Sequence, residues 1–251
     1  AWDRALGRFL IEITAQIFTR KDDETDADLV DMVLDKTGMK GTGRWTVQEA
    51  AERSVPSPTI TAALDSRYLS GLKAERLEAA KVFDGPEVVP ANDRDAFVDD
   101  VRQALYASKI CSYAQGMNLI RSAGNTFDWN LKLGDIARIW KGGCIIRAQF
   151  LGRIQEAYDR NANLPSLLMD PEFARELQNR QAAWRRVVAR AVESGIAAPA
   201  MSGSLAYFDA YRRERLPANL VQAQRDFFGA HTYERTDREG TFHTDWDGSE
   251  G

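Results

Sequence analysis

Apolar residues recur three and four positions apart along most of this chain, which is the period of an α-helix and not the two-residue alternation of a β-strand. The longest such segment opens at Asn92 and keeps Phe97, Val101 and Leu119 in phase over about seven turns. The sequence contains no alternating strand, internal repeat or low-complexity block. We therefore predict an all-α fold, with one large helical domain over residues 1–229.

Capping and breaking residues predict where individual helices begin and end. Asp170-Pro171-Glu172 combines an N-cap, a proline and an acid in the first turn, so a helix should start there. Residues 59–83 are expected to form one long helix. The segment DADLVDMVLDKTG predicts a helix that closes at Gly38, and a kink is expected at Gly142-Gly143.

The last 22 residues, 230–251, lose the helical period but keep the large aromatic residues Phe242 and Trp246. Disordered segments are usually poor in aromatic residues. We therefore expect an extended C-terminal tail that docks on a protein surface.

The junction after Gly38, GMKGTGRWTVQEAAERSVP, combines positive charge with closely spaced glycines. Thr46 and Glu49 have the T-x-x-E spacing of a capping box, which predicts a helix from near Val47 to the Val55-Pro56 break. Gly41-Thr42-Gly43 resembles the start of a dinucleotide-binding loop, but no strand precedes it, so that interpretation is rejected.

What remains is a loop at or near a helix N-terminus that carries Lys40 and the hydroxyl of Thr42. Backbone amides at such a position favour an anion such as phosphate. An ordinary helix-to-helix turn with solvated charges is the alternative.

Three more polar residues stand out. Arg67 follows Leu64 by three residues, which predicts a place on the apolar side of its helix, where it would need an acid or an anionic ligand. Arg225 and His231 bracket DFFGA at the end of the last helix. The chain has only two histidines, and a lone histidine is more often structural than catalytic.

Composition restricts the classes of function. A net charge of −4 argues against a nucleic-acid or membrane-surface binder, and no apolar run approaches a membrane span. Cys111 and Cys144 lie far apart without metal-ligand spacing, so we expect no metal site. Free thiols are typical of a reducing cytoplasm, which is the expected compartment.

Five blocks in order, GMKGTGRWT, SRYLSGLKAER, ALYASKICSYAQGMNLIR, IWKGGCIIRAQFLGRI and LVQAQRDFFGAHTYER, resemble the C-terminal helical domain of the decarboxylating 6-phosphogluconate dehydrogenase family. The resemblance covers essentially the whole chain. It implies that Lys40, Thr42 and Arg67 bind the substrate phosphate. It also implies a homodimer in which Arg225 and His231 reach the active site of the partner subunit.

The same resemblance implies an enzyme that oxidatively decarboxylates 6-phosphogluconate to ribulose 5-phosphate with reduction of NADP. The Rossmann domain that binds the cofactor, and the catalytic lysine and glutamate, would precede residue 1, so the choice between NADP and NAD stays open and no catalytic residue is assigned. Because the chain starts at Ala1 without an initiator methionine, we expect a fragment. We expect it to be inactive alone, because the cofactor site and the catalytic pair would lie outside it.

Two alternatives stay open at this point. One is a non-catalytic helical dimerisation module of the same fold, and the other is a related hydroxyacid dehydrogenase with a different substrate. The joint presence of Lys40, Thr42, Arg67, Arg225 and His231 favours the phosphate-binding enzyme, because a scaffold would need none of them.

Overall fold

The computed structural model describes residues 9–38, 40–142 and 150–248. By internal contacts the chain divides into two compact units, residues 1–207 and 208–251. The helices, in chain order, are α1 Phe9–Ile17, α2 Leu29–Met32, α3 Gly43–Glu52, α4 Pro58–Gly71, α5 Lys73–Val82, α6 Arg94–Thr126, α7 Leu133–Ile139, α8 Phe150–Arg160, a 3-10 turn Leu167–Met169, α9 Pro171–Glu193, α10 Pro199–Tyr211 and α11 Ala218–Gly229. Two short strands follow, β1 Tyr233–Glu234 and β2 Thr241–Phe242. The predicted all-α class is confirmed.

The 33-residue helix α6 is the centre of the first unit, and α9 and α4 both pack against it. The packing face of α6 carries small residues, since Ala104, Ala107 and Ala114 are fully buried. Small side chains let neighbouring helices approach closely, and α9 contributes Phe173 and Trp184 to the same core. The long helix predicted from Asn92 is therefore confirmed, beginning at Arg94 after the N-cap Asp93.

The start of α9 agrees with its sequence signal. The carboxylate of Asp170 accepts hydrogen bonds from the amides of Glu172 and Phe173 at 3.0 and 3.3 Å. The same carboxylate pairs with Arg160 at 2.8 Å and is almost fully buried. One side chain thus caps α9 and joins it to the end of α8.

Three predicted helix boundaries are wrong. Residues 59–83 form two helices, because the backbone at Leu72 leaves the helical region between α4 and α5. The helix expected to close at Gly38 is the single turn α2, and residues 33–38 are irregular. Tertiary contacts described below hold that segment, and they override its helical period.

The third wrong boundary is that of α3, which begins at Gly43 rather than near Val47. Thr46 is inside the helix, where its hydroxyl donates to the Thr42 carbonyl, and Glu49 pairs with Arg53. The helix ends at Glu52, before the Val55-Pro56 break. The kink expected at Gly142-Gly143, like Cys144, involves positions outside the described residues.

The second unit contains α11 and the tail. Strands β1 and β2 form an antiparallel hairpin in which Tyr233 is opposite Phe242. The indole of Trp246 bonds to Asp226 of α11, so the expectation that the aromatic tail docks is confirmed within this unit. The division expected at residues 229/230 falls inside this unit, and as a domain assignment it stays a prediction.

Two aspartate caps of different burial provide a stability test. We expect Asp170→Ala to lower the free energy of unfolding by about 2 kcal/mol, the upper end for an N-cap, because the side chain is buried and bonded to Arg160. Asp93→Ala removes the exposed cap of α6, with its single bond to the Ala96 amide, and should cost about 0.5 to 1 kcal/mol. Urea unfolding of both variants checks the order, and equal losses would contradict it.

Candidate functional site

The irregular segment before the glycine-containing loop is tied to α4 and to the start of α5. The Thr37 amide donates to the Ser70 hydroxyl at 3.0 Å, and the two hydroxyls lie 2.9 Å apart. The Arg67 guanidinium donates to the Gly38 carbonyl. These contacts fix the backbone immediately before Lys40.

Asp35 supplies the charged part of this attachment. Its carboxylate bonds to Lys73 and to Arg76 Nη1, the latter at 2.9 Å, and Arg76 also donates to the Asp35 carbonyl at 3.0 Å. The hydrogen bonds from Lys73 and Arg76 lower the pKa of the Asp35 carboxyl from 3.8 to about 2. The carboxylate therefore stays ionised at all physiological pH values.

Lys40, Gly41 and Thr42 follow this anchored segment and lead into the N-terminus of α3. Thr42 occupies the N-cap position, and in the described part of the chain its hydroxyl makes no capping bond. Lys40 and Thr42 both have exposed side chains. The first-turn amides of α3 carry the positive end of the helix dipole, so cation, hydroxyl and amides are available to one anion.

The predicted burial of Arg67 is wrong, because its side chain is exposed. Helix α4 buries Thr59 and Leu64, and the Gln115 side chain of α6 bonds to the amide of Thr59. Arg67 lies one turn beyond Leu64, where α4 meets the anchored segment instead of the core. Its observed partner is the neutral Gly38 carbonyl, so the guanidinium keeps its full charge beside the loop.

Arg225 and His231 lie in the second unit, at the end of α11. Arg225 is exposed and donates to the Gln222 amide oxygen at 3.3 Å. His231 is also exposed and meets the ring of Phe228 edge-on, with centroids 5.9 Å apart. Its neighbours Ala230 and Thr232 both have left-handed backbone angles, φ 48° and 59°.

Asp226 organises the chain around these two residues. Its carboxylate, with no exposed surface, accepts bonds from the Thr232 and Thr244 amides, at 2.9 and 3.1 Å, and from Trp246 Nε1 at 2.8 Å. His243 Nδ1 is also 2.8 Å away. Burial would raise the pKa of Asp226, but the bonds from His243, Trp246 and Thr244 outweigh it and lower the pKa to about 2.

Neither a metal nor a dinucleotide has a matching site in the described residues. They contain no group of three histidine, cysteine, aspartate or glutamate side chains that could hold a metal ion. The G-x-G of the loop follows irregular backbone, and the described strands are two residues long, so a phosphate-binding turn between strand and helix is not formed. Within the described ranges no helix is both long and apolar enough to span a bilayer.

A family model described as "6-phosphogluconate dehydrogenase, C-terminal domain" matches residues 1–246. The chain belongs to the 6-phosphogluconate dehydrogenase family. "6-phosphogluconate dehydrogenase, decarboxylating 2" of Arabidopsis thaliana is 68% identical over 251 residues, which cover 98% of this chain and 52% of that protein. The decarboxylating enzyme of Synechococcus elongatus is 58% identical over 250 residues, 98% of this chain and 53% of that protein.

A solved structure supports the same membership. The Plasmodium falciparum 6-phosphogluconate dehydrogenase, described in its apo form, with its cofactor NADP+ and with its substrate 6-phosphogluconate, is 49% identical with a TM-score of 0.94. The match covers 98% of this chain and 53% of that one. This chain thus spans about half the length of the relatives of this family that it matches.

The sequence led to five site residues, and the structure adds the residues that hold them. Lys40, Thr42 and Arg67 lie around one loop of the first unit, whereas Arg225 and His231 lie in the second. Sequence reasoning missed Asp35, Ser70 and Asp226, because a partner distant in sequence leaves no periodic signal. One signal did exist for Asp226, since an acid in the last turn of a helix opposes the helix dipole and calls for compensating donors.

The attachment of the loop predicts a pH-dependent stability difference. The lowered pKa of Asp35 means that its contribution is complete above its unfolded value of about 3.8 and is lost as the pH falls through about 2. Asp35→Asn should therefore lower the melting temperature at pH 6, and the difference from wild type should shrink as the pH falls from about 3.8 to about 2. Thermal unfolding at several pH values tests this, with Asp31→Asn of α2 as the control. A difference between wild type and Asp35→Asn that was as large at pH 2 as at pH 6 would contradict it.

Proposed function

We propose that this chain is the substrate-binding and dimerising part of an NADP-dependent 6-phosphogluconate dehydrogenase, which oxidatively decarboxylates 6-phosphogluconate to ribulose 5-phosphate. The observation that carries the proposal is the anchored loop, in which Lys40, Thr42 and the α3 N-terminus follow the Arg67–Gly38 bond. The names of the relatives and the substrate in the Plasmodium structure support the choice of 6-phosphogluconate.

In this proposal Lys40, Thr42 and Arg67 bind the phosphate of the substrate. Charge-assisted hydrogen bonds to phosphate are about twice as strong as neutral ones. Because the phosphate is remote from the reacting carbons, binding energy obtained there orients the opposite end of the sugar acid. The described residues form no nucleotide site, so the part of the reaction assigned to this chain is binding and orientation.

We assign Arg225 and His231 to the active site of the partner subunit in a homodimer. The helix that carries them supports this assignment, because its large apolar side chains are exposed. They are Leu220, Val221, Phe227 and Phe228, each more than half exposed. Contiguous exposed apolar surface is typical of an interface. A non-catalytic dimerisation module, the alternative, would bury this surface equally but would not need the cations of the loop.

The compartment stays part of the proposal. Cys111 is a free, buried thiol, which agrees with the cytoplasm predicted from the sequence. The names of several relatives specify the chloroplast, for example that of "6-phosphogluconate dehydrogenase, decarboxylating 3, chloroplastic" of Arabidopsis thaliana.

The phosphate assignment is tested in the complete enzyme. Arg67→Ala should raise the KM for 6-phosphogluconate about 30-fold, equivalent to about 2 kcal/mol for a charge pair that the bound substrate buries. The matched control is Arg186→Ala, an exposed arginine of α9 paired with Asp100, which should leave KM unchanged. An unchanged KM in Arg67→Ala would assign this residue to loop structure alone.

The shared active site is tested by mixing two defective subunits. A heterodimer of Arg225→Ala and Arg67→Ala chains collects both defects in one site and leaves the other intact if Arg225 acts in the partner subunit. Its expected activity is about half that of the wild-type dimer. Activity no higher than that of the two parent variants would place Arg67 and Arg225 in the same subunit's site.

A further inference from the structure

The end of α11 is held by a set of donors that all point at one carboxylate. Each oxygen of Asp226 takes two contacts, with the Thr232 amide and His243 Nδ1 at Oδ1 and with the Thr244 amide and Trp246 Nε1 at Oδ2. An ionised carboxylate only accepts, so His243 donates from Nδ1. Four donors around one acceptor group match an aspartate and no neutral side chain.

The bond from the Thr232 amide to the Asp226 carboxylate closes a turn around His231. A second contact holds the carbonyl side of Thr232, because the Gln222 side-chain amide donates to the Thr232 carbonyl at 2.6 Å. The oxygen of that Gln222 amide accepts from Arg225 at 3.3 Å. Arg225 and the residue after His231 are therefore joined through one side chain of α11.

The backbone on both sides of His231 is strained. Ala230 and Thr232 have positive φ angles, which cost side-chain-bearing residues free energy and persist only where surrounding contacts enforce them. The imidazole also packs over Gly229, where an added Cβ would come within 3.0 Å of the ring. The ring of His231 is thus held by packing against Gly229 and Phe228, and the Thr232 hydroxyl donates to the His231 carbonyl at 2.7 Å.

We propose that Asp226 is a positioning residue that holds Arg225 and His231 in the arrangement in which they meet the substrate. This inference rests on the proposed function. Asp226 is fully buried, so it acts through its neighbours and not by contact with substrate. It stabilises the strained turn at residues 230–232 by accepting the bond from the Thr232 amide. The donors that follow β2, namely His243, Thr244 and Trp246, hold the carboxylate itself in place.

The decisive variant is Asp226→Asn in the complete enzyme. The amide keeps the shape of the side chain but replaces one acceptor oxygen with a donor NH2, which opposes two of the N–H groups. We expect the KM for 6-phosphogluconate to rise about tenfold, with the KM for NADP and the dimeric state unchanged. The matched control is Asp237→Asn at the hairpin tip, where the aspartate pairs with Arg235 at 2.7 Å, and there the KM should change less than twofold.

A combined variant separates positioning from general stability. If Asp226 acts through Arg225 and His231, then adding Asp226→Asn to the Arg225→Ala/His231→Ala variant should leave its KM unchanged within about twofold, because residues acting as one unit are not additive. A multiplied defect in the triple variant would show that Asp226 acts independently of both residues and would overturn the proposal.

The remaining outcomes are also decisive. A raised KM in His231→Ala and Arg225→Ala with a normal KM in Asp226→Asn would refute the positioning role and leave the proposed function intact. A normal KM in all three would reject the site assignment of the tail, and the inference with it.

A second variant serves if Asp226→Asn does not fold. Trp246→Phe removes one donor and keeps an aromatic ring against Tyr233, whose ring centroid is 6.1 Å from that of Trp246 in the native protein. We then expect a KM rise of about threefold that is absent when Arg225 and His231 are already alanine, and an unchanged KM in Trp246→Phe would overturn the proposal.

Discussion

Close packing of helices on α6 is the constraint on which the first unit depends. Fully buried alanines along this helix allow α9 to approach, and the large side chains Phe173 and Trp184 fill the space between neighbouring elements. Helix α4 packs on the same helix through Thr59 and Gln115, so its direction is set by the core. Arg67 and Ser70 lie on the part of α4 that continues past this contact. The core thereby determines where the anchored loop is held.

Outside the core, the two candidate sites are held by the same kind of interaction. Each has a carboxylate, Asp35 or Asp226, that collects several donors from another part of its own unit and so fixes irregular backbone next to a cationic residue. The causes of the low pKa values differ in one respect, because Asp226 is buried and Asp35 is largely exposed. A buried carboxylate with all its donors satisfied gives a more rigid turn than an exposed ion pair can.

The sequence was sufficient for the fold class, the helices with strong caps and the identity of the exposed polar residues. The signal at Asp170-Pro171 is local, and so it could be read without a structure. The boundaries around Gly38 and Leu72 could not, because bonds that join Ser70, Arg67 and Arg76 to residues more than 25 positions away decide them. For the same reason the burial of Arg67 was predicted wrongly, since the helical period places a residue on a face but does not say where the neighbouring helix ends. The hairpin of the tail was missed because its strands are only two residues long.

Because Arg67 bonds to a neutral carbonyl, its positive charge is not compensated by that partner. Asp35 already compensates part of the charge of Lys73 and Arg76, whereas a carbonyl leaves the guanidinium charge intact. A phosphate monoester carries about −1.5 to −2 at neutral pH. Together Lys40 and Arg67 supply about the same amount of opposite charge, so a phosphorylated sugar acid bound there would be close to electrically neutral at its phosphate end. In the proposed site, an unphosphorylated sugar acid would leave the charges of both cations uncompensated and would lack the charge-assisted bonds that a phosphate accepts.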